Sequence, residues 1–185
     1  CQVCDFIFRD FQNRLSPQDE KARYLNHEND VFDLGYQEFL KPVVEAVREN
    51  QSPMQAGLDF GCGPSSVVSH KLQEAGFQIE GYDPFFAPQE TLLKKKYDYI
   101  ICTEVAEHFH EPLAEFQKLR GLLVPGGRLY VKTGLTDKIQ DFSNWYYHRD
   151  STHISFYGEK NLEIIRVRAG FERLVLEDGF FYFSS

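Results

Sequence analysis

Sulfur and excess positive charge are both scarce in this 185-residue chain, which has four cysteines and one methionine. Four scattered cysteines cannot brace a small disulfide-built scaffold, so a reducing cytoplasm is the expected compartment. Lysine and arginine number 20 against 28 aspartates and glutamates, a net charge of -8. That balance excludes a general electrostatic attraction to nucleic acid, and no such partner is expected. The one clear basic cluster, Lys94-Lys95-Lys96, reads as a solvated turn before a strand. No apolar run is long enough to cross a bilayer, so no membrane association is expected. No secretory pattern opens the chain, and no repeat or low-complexity stretch interrupts it. The first residue is Cys1 rather than Met, so further chain is expected upstream.

What is present is a globular balance, 42% hydrophobic and 26% charged, with enough length for one buried core. Residues 1–30 read as an irregular lead-in, with Phe6, Phe8 and Phe11 alternating near a possible strand, and residues 31–185 as the main domain. Tyr36, Phe39, Leu40, Val43, Val44 and Val47 recur at helical spacing. Pro42 should kink that helix or divide it. Short strands over 56–60, 77–82, 97–102 and 128–132 alternate with helices over 66–75, 112–123 and 158–169. Two last strands, 171–176 and 180–183, flank Asp178-Gly179, a hairpin turn signal. The pattern predicts an α/β fold: a doubly wound, mainly parallel sheet, helices on both faces, and an antiparallel C-terminal hairpin at the edge. In such sheets ligands bind beyond the carboxyl ends of the strands.

The chemistry-bearing residues fall at those ends. Asp59-Phe60-Gly61-Cys62-Gly63-Pro64-Ser65 closes the first of these strands, and its glycines let backbone approach a ligand. About twenty residues later Asp83 ends the next strand, the spacing of an acid that accepts hydrogen bonds from a ribose diol. Loop and acid together imply an adenosine-type ligand. A dinucleotide is one such ligand and S-adenosylmethionine (SAM) another. A pyrophosphate favours a third glycine, where this chain has Ser66, and is repelled by a carboxylate at Asp59. SAM carries a sulfonium and an ammonium, which that carboxylate attracts. Asp59 also reads as a carboxylate capping the loop's own amides.

At these residues the chain resembles the class I SAM-dependent methyltransferases, Rossmann-like enzymes. Asp59 to Gly63 looks like their first motif, and Asp83 like their ribose-binding acid. Tyr97 to His108, with its Glu104-Val105-Ala106-Glu107-His108 segment, resembles their fourth strand and the segment after it. Pro125-Gly126-Gly127-Arg128-Leu129 is similar to their turn into the fifth strand. The resemblance covers about residues 55–176. It implies transfer of a methyl group from SAM, leaving S-adenosylhomocysteine, to an acceptor that is most simply a small molecule. It implies that Gly61, Cys62, Gly63, Asp83, Pro84, Thr103 and Glu104 line the cofactor pocket with Asp59. Phe85 is the candidate for stacking on adenine, or else a core residue. The stretch 85–96 is too short for the helix and strand usual there, which must be abbreviated. Tyr24 and His27 are candidate contacts from an N-terminal segment folded over the methionine end.

His108 and His153 are the candidates for a general base, should the acceptor carry a proton that must leave. The aromatic stretch from Trp145 to His153 follows the fifth strand and is expected to meet the acceptor. His148, Asp150 and His153 offer a metal-ligating set. Cys1 and Cys4 have zinc-ligand spacing and resemble half of the zinc ribbon of some related enzymes. They would bind metal only with an upstream half, so zinc is not expected on this chain alone. Cys62 and Cys102 read as small residues at strand ends, not nucleophiles. Two rival readings stay open: an NAD-dependent oxidoreductase on a similar sheet, and a non-catalytic SAM-binding module. Oligomeric state is not legible.

Overall fold

A computed structural model describes residues 1–25 and 31–185. In chain order the elements are β1 (Ile7–Phe8), α1 (Pro17–Leu25), α2 (Leu34–Asn50), β2 (Ala56–Phe60), α3 (Val67–Glu74), β3 (Gln78–Tyr82) and β4 (Tyr97–Thr103). Then come α4 (Pro112–Leu122), β5 (Leu123–Lys132), β6 (Ser155–Phe156), α5 (Glu159–Ala169), β7 (Arg173–Glu177) and β8 (Phe180–Ser184). Six strands form one sheet in the order β3-β2-β4-β5-β8-β7. The first four are mutually parallel, and β8 and β7 are antiparallel.

Alternation along the strands divides the core in two. Tyr99, Ile101 and Tyr130 point to one face, where they meet Val43, Val47, Val68 and Leu72 of α2 and α3. Ile100, Cys102, Leu129 and Val131 point to the other, with Phe116 and Leu119 of α4 and Leu162 of α5. This is the period-2 pattern of a central strand buried on both faces. Caps fix the helix starts: Asp33 accepts from the amides of Gly35 and Tyr36, and Ser66 from that of Ser69. Gly170, left-handed at φ +82, ends α5, as its position predicts.

Three expectations are refined. Pro42 does not divide its helix: α2 runs through it as one element, missing one internal hydrogen bond because proline has no N–H. The lead-in is not irregular throughout, since α1 occupies nine of its residues. Its strand is only two residues long and pairs with β6, apart from the main sheet. Residues 85–96 are abbreviated as expected, holding only a single 3-10 turn at Leu92–Lys94.

Strand order reverses between β2 and β4: β2 leads outward to β3, while β4 leads the other way to β5. The connections leaving the carboxyl ends of β2 and β4 therefore run in opposite directions, and a crevice opens above them.

Candidate active site

A cavity of about 560 Å³ fills that crevice, within the size range of small-molecule sites. Its floor is the loop after β2. Gly61 is left-handed at φ +80, and a Cβ there would lie 2.4 Å from Val105 Cγ2. Only glycine lets the loop pass so close to the segment after β4. Gly63, at φ +62, completes the turn.

Asp59 lies behind this floor, 2% exposed. Its carboxylate accepts from the hydroxyls of Ser66 and Ser69, so it anchors the start of α3 through side chains and not through loop amides. Burial raises its pKa against the lowering effect of those hydroxyls. Asp83 ties the loop to β3. Its Oδ2 accepts from Gly63 N at 3.1 Å, and its Oδ1 from Phe85 N and Phe86 N at 2.8 and 3.0 Å. A carboxylate offers about four lone-pair sites, so Oδ2 keeps one for a ligand. Burial, then Asp59 and Asp83, push the Cys62 thiol up to about 12, consistent with an inert small residue.

Glu104 holds a left-handed backbone at φ +54, uncommon outside glycine. Burial and then Glu107 raise its pKa. Among the described residues the lining carries seven carboxyl groups, of Glu20, Asp59, Asp83, Glu104, Glu107, Glu111 and Glu115, and one ammonium, of Lys118. Such a donor set suits a cationic ligand and opposes a pyrophosphate.

The opposite wall comes from α1 and from the segments after β4 and β5. Tyr24 sets its ring 5.9 Å from Phe85 and edge-on to His108 at 5.2 Å, and its hydroxyl donates to Glu20 at 2.7 Å. Phe85 is thus a half-buried wall of the cavity, not a core residue. His108 and His153 lie side by side, ring centroids 4.9 Å apart. Burial lowers the His153 pKa, with Glu107 opposing, which favours the neutral ring.

Of the stretch from Trp145 to His153, only His153 lines the cavity. Trp145 stacks on Tyr147 at 4.9 Å. Tyr147 is buried and donates to Glu107 Oε1 at 2.5 Å. The aromatics therefore back the wall instead of facing an acceptor. The metal-ligating set of His148, Asp150 and His153 is not assembled. His148 lies flat on Phe142, and Asp150 binds Thr152 and Arg23. The set that the described residues do assemble is Glu107, His108 and His153. Cys1 and Cys4 are free thiols near the surface, and His27 lies outside the described residues. The wall residues that escaped the sequence reading include Glu20, Tyr36, Glu111, Glu115 and Lys118, and Glu107 in any role of its own. Glu107 stood in plain view beside His108, while Tyr36 was absorbed into the apolar stripe of α2.

Comparison with known proteins identifies the family and the fold. Residues 9–176 match the family described as "Methyltransferase domain", and the chain belongs to it, among the class I SAM-dependent methyltransferases. SAM is the cofactor of that class. A ubiquinone biosynthesis O-methyltransferase of Histophilus somni is 30% identical over 95 residues, 49% of this chain and 40% of that protein. The chain thus aligns with well under two thirds of that relative's length. A 1,6-didemethyltoxoflavin-N1-methyltransferase of Burkholderia thailandensis, solved with its namesake ligand and S-adenosylhomocysteine, shares the fold. Its TM-score is 0.62 at 14% identity, over 92% of this chain and 89% of that one. Phosphoethanolamine N-methyltransferase 2 of Haemonchus contortus, solved with SAM, also gives 0.62 at 16% identity, over 88% of this chain and 46% of that one.

Proposed function

We propose that this chain transfers the methyl group of SAM to a small-molecule acceptor held in the same cavity. One observation carries the reading: a single cavity is lined both by the glycine loop with its acids and by Tyr24, His108 and His153, which we assign to a cofactor half and an acceptor half. In the first half Asp83 would hold the ribose and Phe85 the adenine. Asp59 and Glu104 would favour the cationic methionine end, beside the backbone of Gly61, Cys62, Gly63, Pro84 and Thr103. When bound there, SAM supplies a methyl on a sulfonium, whose departure leaves a neutral thioether. The protein's own task is then alignment of donor and acceptor. Tyr24 closes the cavity over both halves. His108 and His153 face the acceptor half, where they would meet the acceptor's hydroxyl or amine.

Small-molecule acceptors are also what the names of the relatives imply for those proteins. Calorimetry with SAM and with NAD tests the cofactor half, and binding of SAM alone is expected. Asp83→Ala should weaken SAM binding by roughly 1.5–3 kcal/mol, about ten- to a hundredfold. Unchanged affinity in a folded variant would remove Asp83 from the cofactor site. Turnover of labelled SAM against a pool of small metabolites tests the transfer itself.

A further inference from the structure

Glu107, His108 and His153 are arranged more specifically than a proton-accepting pair requires. Their ligand atoms all lie within 4.8 Å of one another. His108 and His153 Nε2 each stand 4.0 Å from Glu107 Oε1, too far for a hydrogen bond. Both imidazoles use Nδ1 on a backbone carbonyl: His108 on Thr152 O at 2.9 Å, His153 on Tyr147 O at 2.7 Å. A carbonyl can only accept, so Nδ1 carries the proton, and in the neutral ring Nε2 carries the lone pair. A metal-binding histidine is fixed in the same way, by donating its other ring N–H to a carbonyl or carboxylate. The carboxylate is likewise held, because Tyr147 donates to its Oε1 at 2.5 Å. Yet Glu107 Oε2 is buried with no hydrogen-bond partner, in a residue 0% exposed. An unpartnered buried carboxylate oxygen is costly unless something cationic meets it.

We propose that Glu107, His108 and His153 form a divalent transition-metal site in the acceptor half of the cavity, and that the acceptor it presents is an oxygen nucleophile. Two imidazoles and one carboxylate are a ligand set suited to such ions, and three protein ligands leave a position open for an incoming oxygen. Donor atoms about 2.0–2.2 Å from an ion lie closer together than those seen here, so binding would draw the three inward by several tenths of an ångström. The cavity is the entry path. The inference rests on the methyltransferase reading and deepens it. Lewis-acid charge at this position favours loss of the acceptor's hydroxyl proton to solvent water. The oxygen lone pair then forms the O–C bond as the C–S bond breaks, and its electron pair returns to sulfur. His108 and His153 thereby act on the acceptor through the ion and not as direct bases.

Titration of the metal-stripped protein with Co²⁺, followed by calorimetry and by visible absorption, tests the site. One ion per chain is expected, with a ligand-field spectrum of a nitrogen- and oxygen-ligated site. Zn²⁺ should displace it. His153→Ala and Glu107→Gln should each abolish stoichiometric uptake while retaining SAM affinity and a native circular dichroism spectrum. His108→Ala serves the same purpose should a more buried variant misfold. Tyr147→Phe, which frees the carboxylate from its orienting hydroxyl, should weaken uptake about tenfold. A wild-type protein that binds SAM but takes up no Co²⁺ overturns the metal site and leaves the methyltransferase reading intact. Uptake unchanged in His153→Ala, His108→Ala and Glu107→Gln also overturns it. A wild-type protein that binds no SAM overturns the parent reading, and this inference with it.

Discussion

Asp59 is a side chain whose burial works against the fold that it helps to anchor. Its carboxyl has a pKa above its ordinary 3.8, chiefly through burial. The native state therefore holds more protons than the unfolded chain between 3.8 and the raised value. Folding stability from this group falls as pH rises through that window. SAM affinity should move the opposite way, because a cation prefers the ionised form, and so it should rise across the same window. Asp59→Asn removes the buried charge while keeping an oxygen to accept from Ser66 and Ser69. The ligand-free melting temperature should stay level or rise, while SAM binding weakens by roughly 1.5–3 kcal/mol. Calorimetry and thermal melts on the same samples check both halves, and a melting temperature that falls with affinity unchanged would contradict them.

The loop after β2 and the end of β4 determine each other's shape. Gly61 and Gly63 are both left-handed, but a Cβ at Gly61 would strike Val105, while one at Gly63 would meet nothing within 4 Å. Left-handed strain costs about 1–2 kcal/mol for an ordinary residue. Gly63→Ala should show that cost alone, a melting temperature lower by roughly 2–8 °C. Gly61→Ala should fall further and lose SAM binding as Val105 is driven toward the cavity. Equal losses in the two variants would deny the contact its part. This loop was legible in the sequence because glycine between strand and helix has few other uses. The sheet was legible because the apolar strand runs and their turn residues agree. Helix α1 was missed although Ser16, Pro17, Asp19 and Glu20 form a helix-start signal. Its weak apolar stripe hid it, since part of what α1 covers is a cavity and not a core. Glu107 was underread for a related reason. Its role depends on His153, 46 positions away, and only the fold brings the two together.

At the scale of the molecule, the lead-in is fastened to the segment that carries His153. Arg9 donates from Nε to His153 O at 3.1 Å, and from Nη2 to His148 O at 2.7 Å and Asp150 O at 3.0 Å. β1 pairs with β6 immediately beyond, and Arg23 of α1 pairs with Asp150 at 3.1 Å. One guanidinium thus gathers three carbonyls on either side of the turn into His153, while the same lead-in delivers Tyr24 and Glu20 to the cavity. Closing the cavity and positioning His153 are therefore mechanically coupled. A lysine cannot reproduce this, because its ammonium is a point donor without the planar fork. Together these charge-assisted hydrogen bonds contribute on the order of 1.5–3 kcal/mol. Arg9→Ala should lower the melting temperature by several degrees and expose the lead-in to limited proteolysis, with Arg9→Lys intermediate. Ligand should oppose the cleavage, since Tyr24 would be held from the cavity side when SAM is bound. Cleavage in Arg9→Ala that is no faster than in the wild type, or that SAM does not slow, would show that the lead-in is fixed by other contacts and that His153 keeps its place without it.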